Sequence, residues 1–221
     1  MTGIWLGIET TSRLGGVALV SGGEVLSESL LPVGAFHSEK LLPAVASALV
    51  SAGIEGKHLE GIGVSRGPGS YTGLRIGTAT ANGLSAGWGV PLRGVSTLRA
   101  MASLLPEGPV LCCVRARAGE VFAGAFASPD PLSHEIIPQG LYTSKDLFDL
   151  SLGHRFTATG SGRTELPRGE HLSWASPVLD TPRPSAVAVA AATIAKSLGF
   201  QECIEPLYLR GFNERVGIGS V

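Results

Sequence analysis

Two short segments gather the residue types that handling a phosphate group requires. The first, Ile8-Glu9-Thr10-Thr11-Ser12-Arg13, sets one carboxylate and three hydroxyls on a turn between two apolar runs. Backbone N–H groups and hydroxyls on such a turn can surround an anion. The same residues also make an ordinary polar turn through local hydrogen bonds. The second segment, Ser65-Arg66-Gly67-Pro68-Gly69-Ser70-Tyr71-Thr72-Gly73-Leu74-Arg75, follows an apolar run and opens a helical one. Helix N-termini in that setting hold anions. Its spacing fits neither standard phosphate motif: a Walker loop needs a lysine, absent here, and Thr72 takes the third glycine position of the dinucleotide fingerprint. Glu9, Thr10, Thr11, Gly67, Gly69 and Ser70 are therefore the candidate contacts for a phosphate-type ligand, with plain architecture as the alternative reading.

Other chemistries find little to work with. His37, His58, His134, His154 and His171 are never closer than 17 residues, so no pair stands at the helical spacing that zinc enzymes use. His37 alone stands out, beside Ser38 ahead of the first helix. It either caps and packs there or meets a partner or cleft ligand. Cys112, Cys113 and Cys203 are odd in number and form no Cys-x-x-Cys, which points to reduced core and strand residues. Gly-x-Ser-x-Gly occurs as Gly63-Val64-Ser65-Arg66-Gly67, at the end of the apolar run 61–65, while Ser70 and Ser161 miss that spacing; hydrolase chemistry is not expected. The expectation is no catalytic residue, no metal and no cofactor.

The elements that must position these segments repeat. Apolar runs at 4–8, 15–20 and 24–31 read as three antiparallel strands around the Ser21-Gly22-Gly23 turn. Residues 38–52 place Leu41, Leu42, Val45 and Leu49 at helical spacing before Gly53, with Pro43 limiting how early that helix begins. A buried strand over 61–65, a helix over 72–88, a strand over 90–95 and a helix capped by Ser96 and running to about Leu105 complete the first half. The second half follows the same order: strands at 110–115, 120–127 and 135–141, a helix at 144–150, a strand at 155–159, a small-residue loop Gly160-Ser161-Gly162, and an Ala-rich helix over 185–198. Strand-strand-strand-helix-strand-helix, used twice about 105 residues apart, points to a duplicated α/β architecture with mixed sheets covered by helices. The lobes are expected at 1–105 and 106–221, with a cleft between them.

Composition narrows the setting. Of 221 residues, 44% are hydrophobic and 16% charged, against roughly 25% charged in ordinary soluble domains. A permanent partner would cover the surface that this deficit leaves. The net charge of -1 argues against tight, independent binding to a nucleic-acid backbone. The amino terminus has no basic-then-apolar leader pattern and no run of about 18 apolar residues occurs, so a cytoplasmic protein without a membrane span is expected.

Glu9-Thr10-Thr11 with Ile8, then His37-Ser38-Glu39-Lys40-Leu41-Leu42-Pro43, the loop from Arg66 to Gly77, and Gly94-Val95-Ser96-Thr97-Leu98 together resemble the bacterial TsaB (YeaZ) family of the actin-like ATPase superfamily. In the second lobe the resemblance thins to Arg117-Ala118-Gly119-Glu120-Val121-Phe122 and Pro206-Leu207-Tyr208-Leu209-Arg210. It implies duplicated actin-like, ribonuclease H-like lobes and a role in making threonylcarbamoyladenosine on the tRNA base beside the anticodon. There the paralogous subunit TsaD carries the transfer, the ATPase TsaE joins the pair, and TsaB-like chains dimerise with TsaD. Two departures bear on catalysis: Glu9 stands where the superfamily usually has Asp, and Arg115 where the family often has Asp. A non-catalytic scaffold is the expectation, with tRNA met only through the complex and a homodimer possible when isolated; an active ATPase or phosphotransferase of the superfamily is the alternative.

The helix over 72–88 offers two faces. Leu74, Gly77, Ala81, Leu84 and Trp88 form one stripe, and Ala79, Gly83 and Gly87 another. A glycine inside a helix costs about 1 kcal/mol relative to alanine, which suggests a closely approaching neighbour. One stripe is expected on the protein's own sheet. The other, Ala79, Gly83 and Gly87 with Leu42, Val45 and Leu49, is expected to form a helical interface with a TsaD-like paralogue or a second copy.

Overall fold

The computed structural model describes residues 3–32 and 37–209. Two five-stranded sheets organise them. In chain order the elements are β1 Ile4–Glu9, β2 Leu14–Ser21, β3 Glu24–Pro32, α1 His37–Ala52, β4 Gly61–Ser65, α2 Tyr71–Trp88, β5 Leu92–Val95 and α3 Thr97–Ala102. Then follow β6 Val110–Arg117, β7 Glu120–Phe126, β8 Glu135–Thr143, α4 Ser144–Ser151, β9 Phe156–Thr159, β10 Leu172–Trp174 and α5 Pro184–Leu198.

The first sheet runs β3-β2-β1-β4-β5 and the second β10-β9-β6-β7-β8. Counting β6 as the first strand of its half, the two orders are the same. β1 is antiparallel to β2 and parallel to β4, and β6 is antiparallel to β7 and parallel to β9. The expected duplication of a mixed sheet is thus present. Strand β10, three residues long, is the one strand that periodicity did not reveal; Leu172-Ser173-Trp174 is too short to alternate.

The division at 105/106 needs correction at both final helices. Helix α3 belongs to the first half of the chain, yet Leu98, Met101 and Ala102 pack with Val110, Cys112 and Phe126 of the second sheet. Helix α5 belongs to the second half, yet Val187, Ala188 and Ala191 pack with Trp5, Val20 and Val95 of the first. Small residues make this docking possible. A Cβ on Gly7 would lie 2.0 Å from the Pro184 carbonyl oxygen, and one on Gly63 would lie 2.5 Å from the Ala191 Cβ. Alanines on the helix and glycines on the central strands are therefore complementary halves of one close contact.

Smaller corrections have local causes. Helix α1 begins ahead of Pro43 and contains it; the ring deprives only the exposed Glu39 carbonyl region of a partner. Ser96 occupies the N-cap position of α3 but makes no capping bond. Its hydroxyl instead donates to Gln139 Oε1 in the second lobe. Helix α3 stops at Ala102, and the next turn tightens, with Leu105 N donating to the Ala102 carbonyl at 3.0 Å. After α5 the chain returns along β5: Gln201 N donates to the Leu92 carbonyl at 2.9 Å, and Ile204 enters the first core. The edge of the first sheet is thereby covered.

Candidate functional site

The cleft between the lobes has a volume of about 790 Å³. Thr11, Ser12, Arg13, Gly69, Ser70 and Thr97 line its first-lobe side; residues 114–118, Ser161, Thr164 and 180–182 line the other. Of the six candidate phosphate contacts, Thr11, Gly69 and Ser70 reach the cleft, whereas Glu9, Thr10 and Gly67 do not.

Glu9 ends β1 with its carboxylate turned inward and no exposed surface. One oxygen accepts from Thr11 N at 2.5 Å and Thr11 Oγ1 at 2.6 Å; the other accepts from Ser65 Oγ. Burial pushes this carboxyl above its ordinary range, and the hydrogen bonds from Ser65 and Thr11 oppose that push. The side chain is occupied in fastening the turn to β4.

Thr10 is buried too, and its hydroxyl donates to the Gly73 carbonyl at 2.7 Å, tying the turn to the first turn of α2. The loop glycines have the same structural origin. A Cβ on Gly69 would stand 2.4 Å from the Thr11 carbonyl oxygen, and Ser70 N donates to that oxygen at 2.7 Å. Gly67, at φ +119, lies under the Leu207 carbonyl, with 2.6 Å to any added Cβ. Ser70 caps α2 by accepting from Gly73 N at 3.2 Å. The Gly-rich loop is thus laid directly onto the β1–β2 turn.

Across the cleft, potential anion donors have internal partners. Asp180 accepts from Gly160 N at 2.9 Å and pairs with Arg163 at 2.6 Å. Arg115 pairs with Glu165 at 2.8 Å, and Arg117 makes a forked contact to Glu120 at 2.5 and 2.9 Å. Arg13, exposed at the rim, has no such acid partner among the described residues. Thr97, Arg13 and Asp180 are not among the candidate contacts, although Arg13 belongs to the Glu9 turn and Thr97 to the Gly94–Leu98 segment; Asp180 comes from a distant loop that carries no local motif. The His37 side chain lies outside the described residues.

The second candidate region, the outer face of α1 and α2, divides cleanly. Ala81 is buried and Leu84 and Trp88 pack on the first core, as expected of the first stripe. Ala79, Gly83 and Gly87 are exposed, and a Cβ on Gly83 or Gly87 would meet nothing within 4 Å. On α1, Leu42 is 51% exposed but Val45 and Leu49 are 1% and 8%. Val45 and Leu49 are therefore corrected from partner residues to core residues, because their side of α1 packs over β2 and β3 into the first core. Val50, 81% exposed, joins Leu42 on the free side; its eight-residue spacing from Leu42 was the available signal.

A family model described as "TsaD: tRNA N6-adenosine threonylcarbamoyltransferase" matches residues 33–171. The chain is 32% identical over 135 residues to the tRNA threonylcarbamoyladenosine biosynthesis protein TsaB of Bacillus subtilis (strain 168), covering 60% of this chain and 59% of that protein. It is 38% identical over 122 residues to the TsaB of Escherichia coli (strain K12), covering 53% and 52%. The matched stretch is thus somewhat over half the length of these curated relatives. Among solved structures, an uncharacterized protein from Pseudomonas aeruginosa with similarity to peptidase YeaZ aligns with a TM-score of 0.81 at 21% identity, over 94% of this chain and 100% of that one. That likeness is one of fold: the duplicated, actin-like α/β architecture.

Proposed function

Because the chain belongs to the family of TsaD, the tRNA N6-adenosine threonylcarbamoyltransferase, and its curated relatives include the TsaB proteins of Bacillus subtilis and Escherichia coli, we propose that it serves tRNA threonylcarbamoyladenosine biosynthesis as a non-catalytic subunit. In this reading it is the dimerisation partner of a TsaD-like paralogue, in the cytoplasm, with a TsaE-like ATPase joining the pair. It meets tRNA only through the complex, and pairs with itself when isolated. Among the described residues no helix is long and apolar enough to cross a membrane.

One observation carries the non-catalytic reading. The acid at the end of β1, where a phosphate-bound metal would need an outward carboxylate, is fully buried and held by Ser65 and Thr11. Support for the partner surface comes from the open α2 stripe. Two mid-helix glycines with nothing near them gain nothing from the protein's own packing, so a backbone of another chain is the neighbour that would justify them.

Reconstitution tests this directly. A TsaD-like protein, threonylcarbamoyl-adenylate and tRNA are combined with and without this chain, and modified adenosine is measured. Strong dependence on the chain is expected; equal modification in its absence would refute the role. The purified chain with magnesium and ATP should release no phosphate above background, and steady turnover would favour the ATPase or phosphotransferase reading.

A further inference from the structure

A separate pocket of about 340 Å³ shares no residue with the inter-lobe cleft. Three arginines line it, and their surroundings differ. Arg99 is neutralised: it pairs with Glu135 at 3.0 Å, donates to the Pro131 and Ser133 carbonyls at 2.9 Å, and lies 4.7 Å from the Phe126 ring centre. Arg66 and Arg93 have no carboxylate partner among the described residues. Arg93 donates to the Gly199 carbonyl at 3.0 Å. The Nε atoms of both are buried without a hydrogen-bond partner.

The strands place this pair by design of the backbone. Arg66 directly follows β4 and Arg93 lies in β5, which runs parallel to it. The Arg66 stem crosses Gly94, where an added Cβ would come within 3.0 Å of its Cδ. Glycine there lets the guanidinium lie over the strand. Burial, and then the neighbouring Arg66, lower the Arg93 guanidinium below its ordinary value, the direction that two uncompensated like charges produce. Leaving partly buried donors unpaired costs free energy, and an anion supplied from outside would relieve it.

We propose that Arg66 and Arg93 form a binding site for the dianion of a phosphate monoester, distinct from the inter-lobe cleft. A guanidinium fork matches phosphate oxygens in pairs. A phosphate monoester carries about -1.5 to -2 charges near neutral pH, which balances two arginines; a single carboxylate balances one. Leu132, Ile194 and Leu198, which also line the pocket, give the carbon portion of the ester an apolar surface. The phosphate could arrive on a small metabolite or at the 5′ end of a nucleic acid, and the recognition chemistry is the same.

Isothermal titration and thermal melting of the full chain test the site, with ionic strength held constant by chloride. Inorganic phosphate should bind saturably and raise the melting temperature, n-propyl phosphate should bind several-fold tighter, and acetate should do neither. Arg66→Met and Arg93→Met should each weaken phosphate binding at least tenfold, while Arg13→Met in the cleft should leave it unchanged. Arg93→Lys keeps the charge but loses the fork, and should also weaken binding; it guards against misfolding of the methionine variants. Binding of a 5′-phosphorylated oligonucleotide but not its 5′-hydroxyl form, lost in Arg66→Met, would support the site with nucleic-acid ends as the source. No difference between phosphate and chloride, or binding retained in both arginine variants and lost in Arg13→Met, would overturn it.

Discussion

Thr10 and Gly77 approach with no side chain between them: a Cβ on Gly77 would stand 2.2 Å from Thr10 Oγ1, the atom that donates to the Gly73 carbonyl at 2.7 Å. A Cβ on Gly73 would fare worse, 1.9 Å from the Thr10 carbonyl oxygen. The turn after β1 and the first two turns of α2 are thus in direct contact, with room only for glycine at both positions.

That fit sets two glycine classes against each other in one helix. Gly73→Ala should destabilise the isolated chain by about 1–3 kcal/mol, the usual cost of overpacking. Gly83→Ala, where nothing lies within 4 Å, should stabilise it by about 1 kcal/mol through helix propensity. Urea unfolding followed by circular dichroism would show midpoints moving in opposite directions.

The proposed partner face makes a second contrast. Gly83→Arg and Ala79→Arg should keep the fold and abolish co-purification with a TsaD-like protein. Val45→Arg, at a position 1% exposed, should instead collapse the isolated fold, because a charge would be driven into the core. Persistence of the complex with Gly83→Arg would remove the interface.

Glu9 should leave a mark on the pH dependence of stability. Its carboxyl is raised from an ordinary value of 4.5 in the folded chain, chiefly by burial. A raised acid contributes stability that is present below pH 4.5 and lost as pH rises through the folded value. Glu9→Gln, which stands in for the protonated form, should flatten that slope in urea midpoints measured from pH 4 upward. Ser65→Ala should steepen it, and should cost about 1–3 kcal/mol at neutral pH by leaving a buried carboxyl oxygen without its donor.

Glu28 should act with the opposite sign. Burial raises its carboxyl, but hydrogen bonds from Arg183 and Ser185 outweigh this and hold it below 4.5. Those bonds, with Ser185 Oγ at 2.7 Å and Ser185 N at 3.0 Å, fasten the start of α5 to β3. The stability they contribute is present above pH 4.5 and lost as pH falls through the folded value. Glu28→Gln should lower the melting temperature at pH 7 and narrow the gap to the parent in acid.

Much of this molecule could be read in its residues. The strand triplets and the helices over 38–52, 72–88 and 185–198 were legible because each carries a run of apolar positions at the period of its element. The Gly-rich loop was legible as a unit, but its meaning was not. Whether Gly69 faces a phosphate or the Thr11 carbonyl depends on where a loop 58 residues away lies, and no local pattern encodes that. The same limit explains Val45 and Leu49. Periodicity marks a helix face as apolar, and only the placement of the sheet tells which apolar side is already covered. Asp180 and Arg66 show the limit most plainly, since their roles arise from charges present or missing on other segments.

The crossing-over of α3 and α5 has a consequence for how the chain comes apart. Each sheet wears a helix supplied by the other half of the sequence, so neither half is a self-sufficient folding unit. Heating should therefore yield one calorimetric transition for both sheets, with matching calorimetric and van't Hoff enthalpies. A fragment ending before Pro184 would expose the Gly7 and Gly63 strip of the first sheet, and should be recovered as an aggregating species.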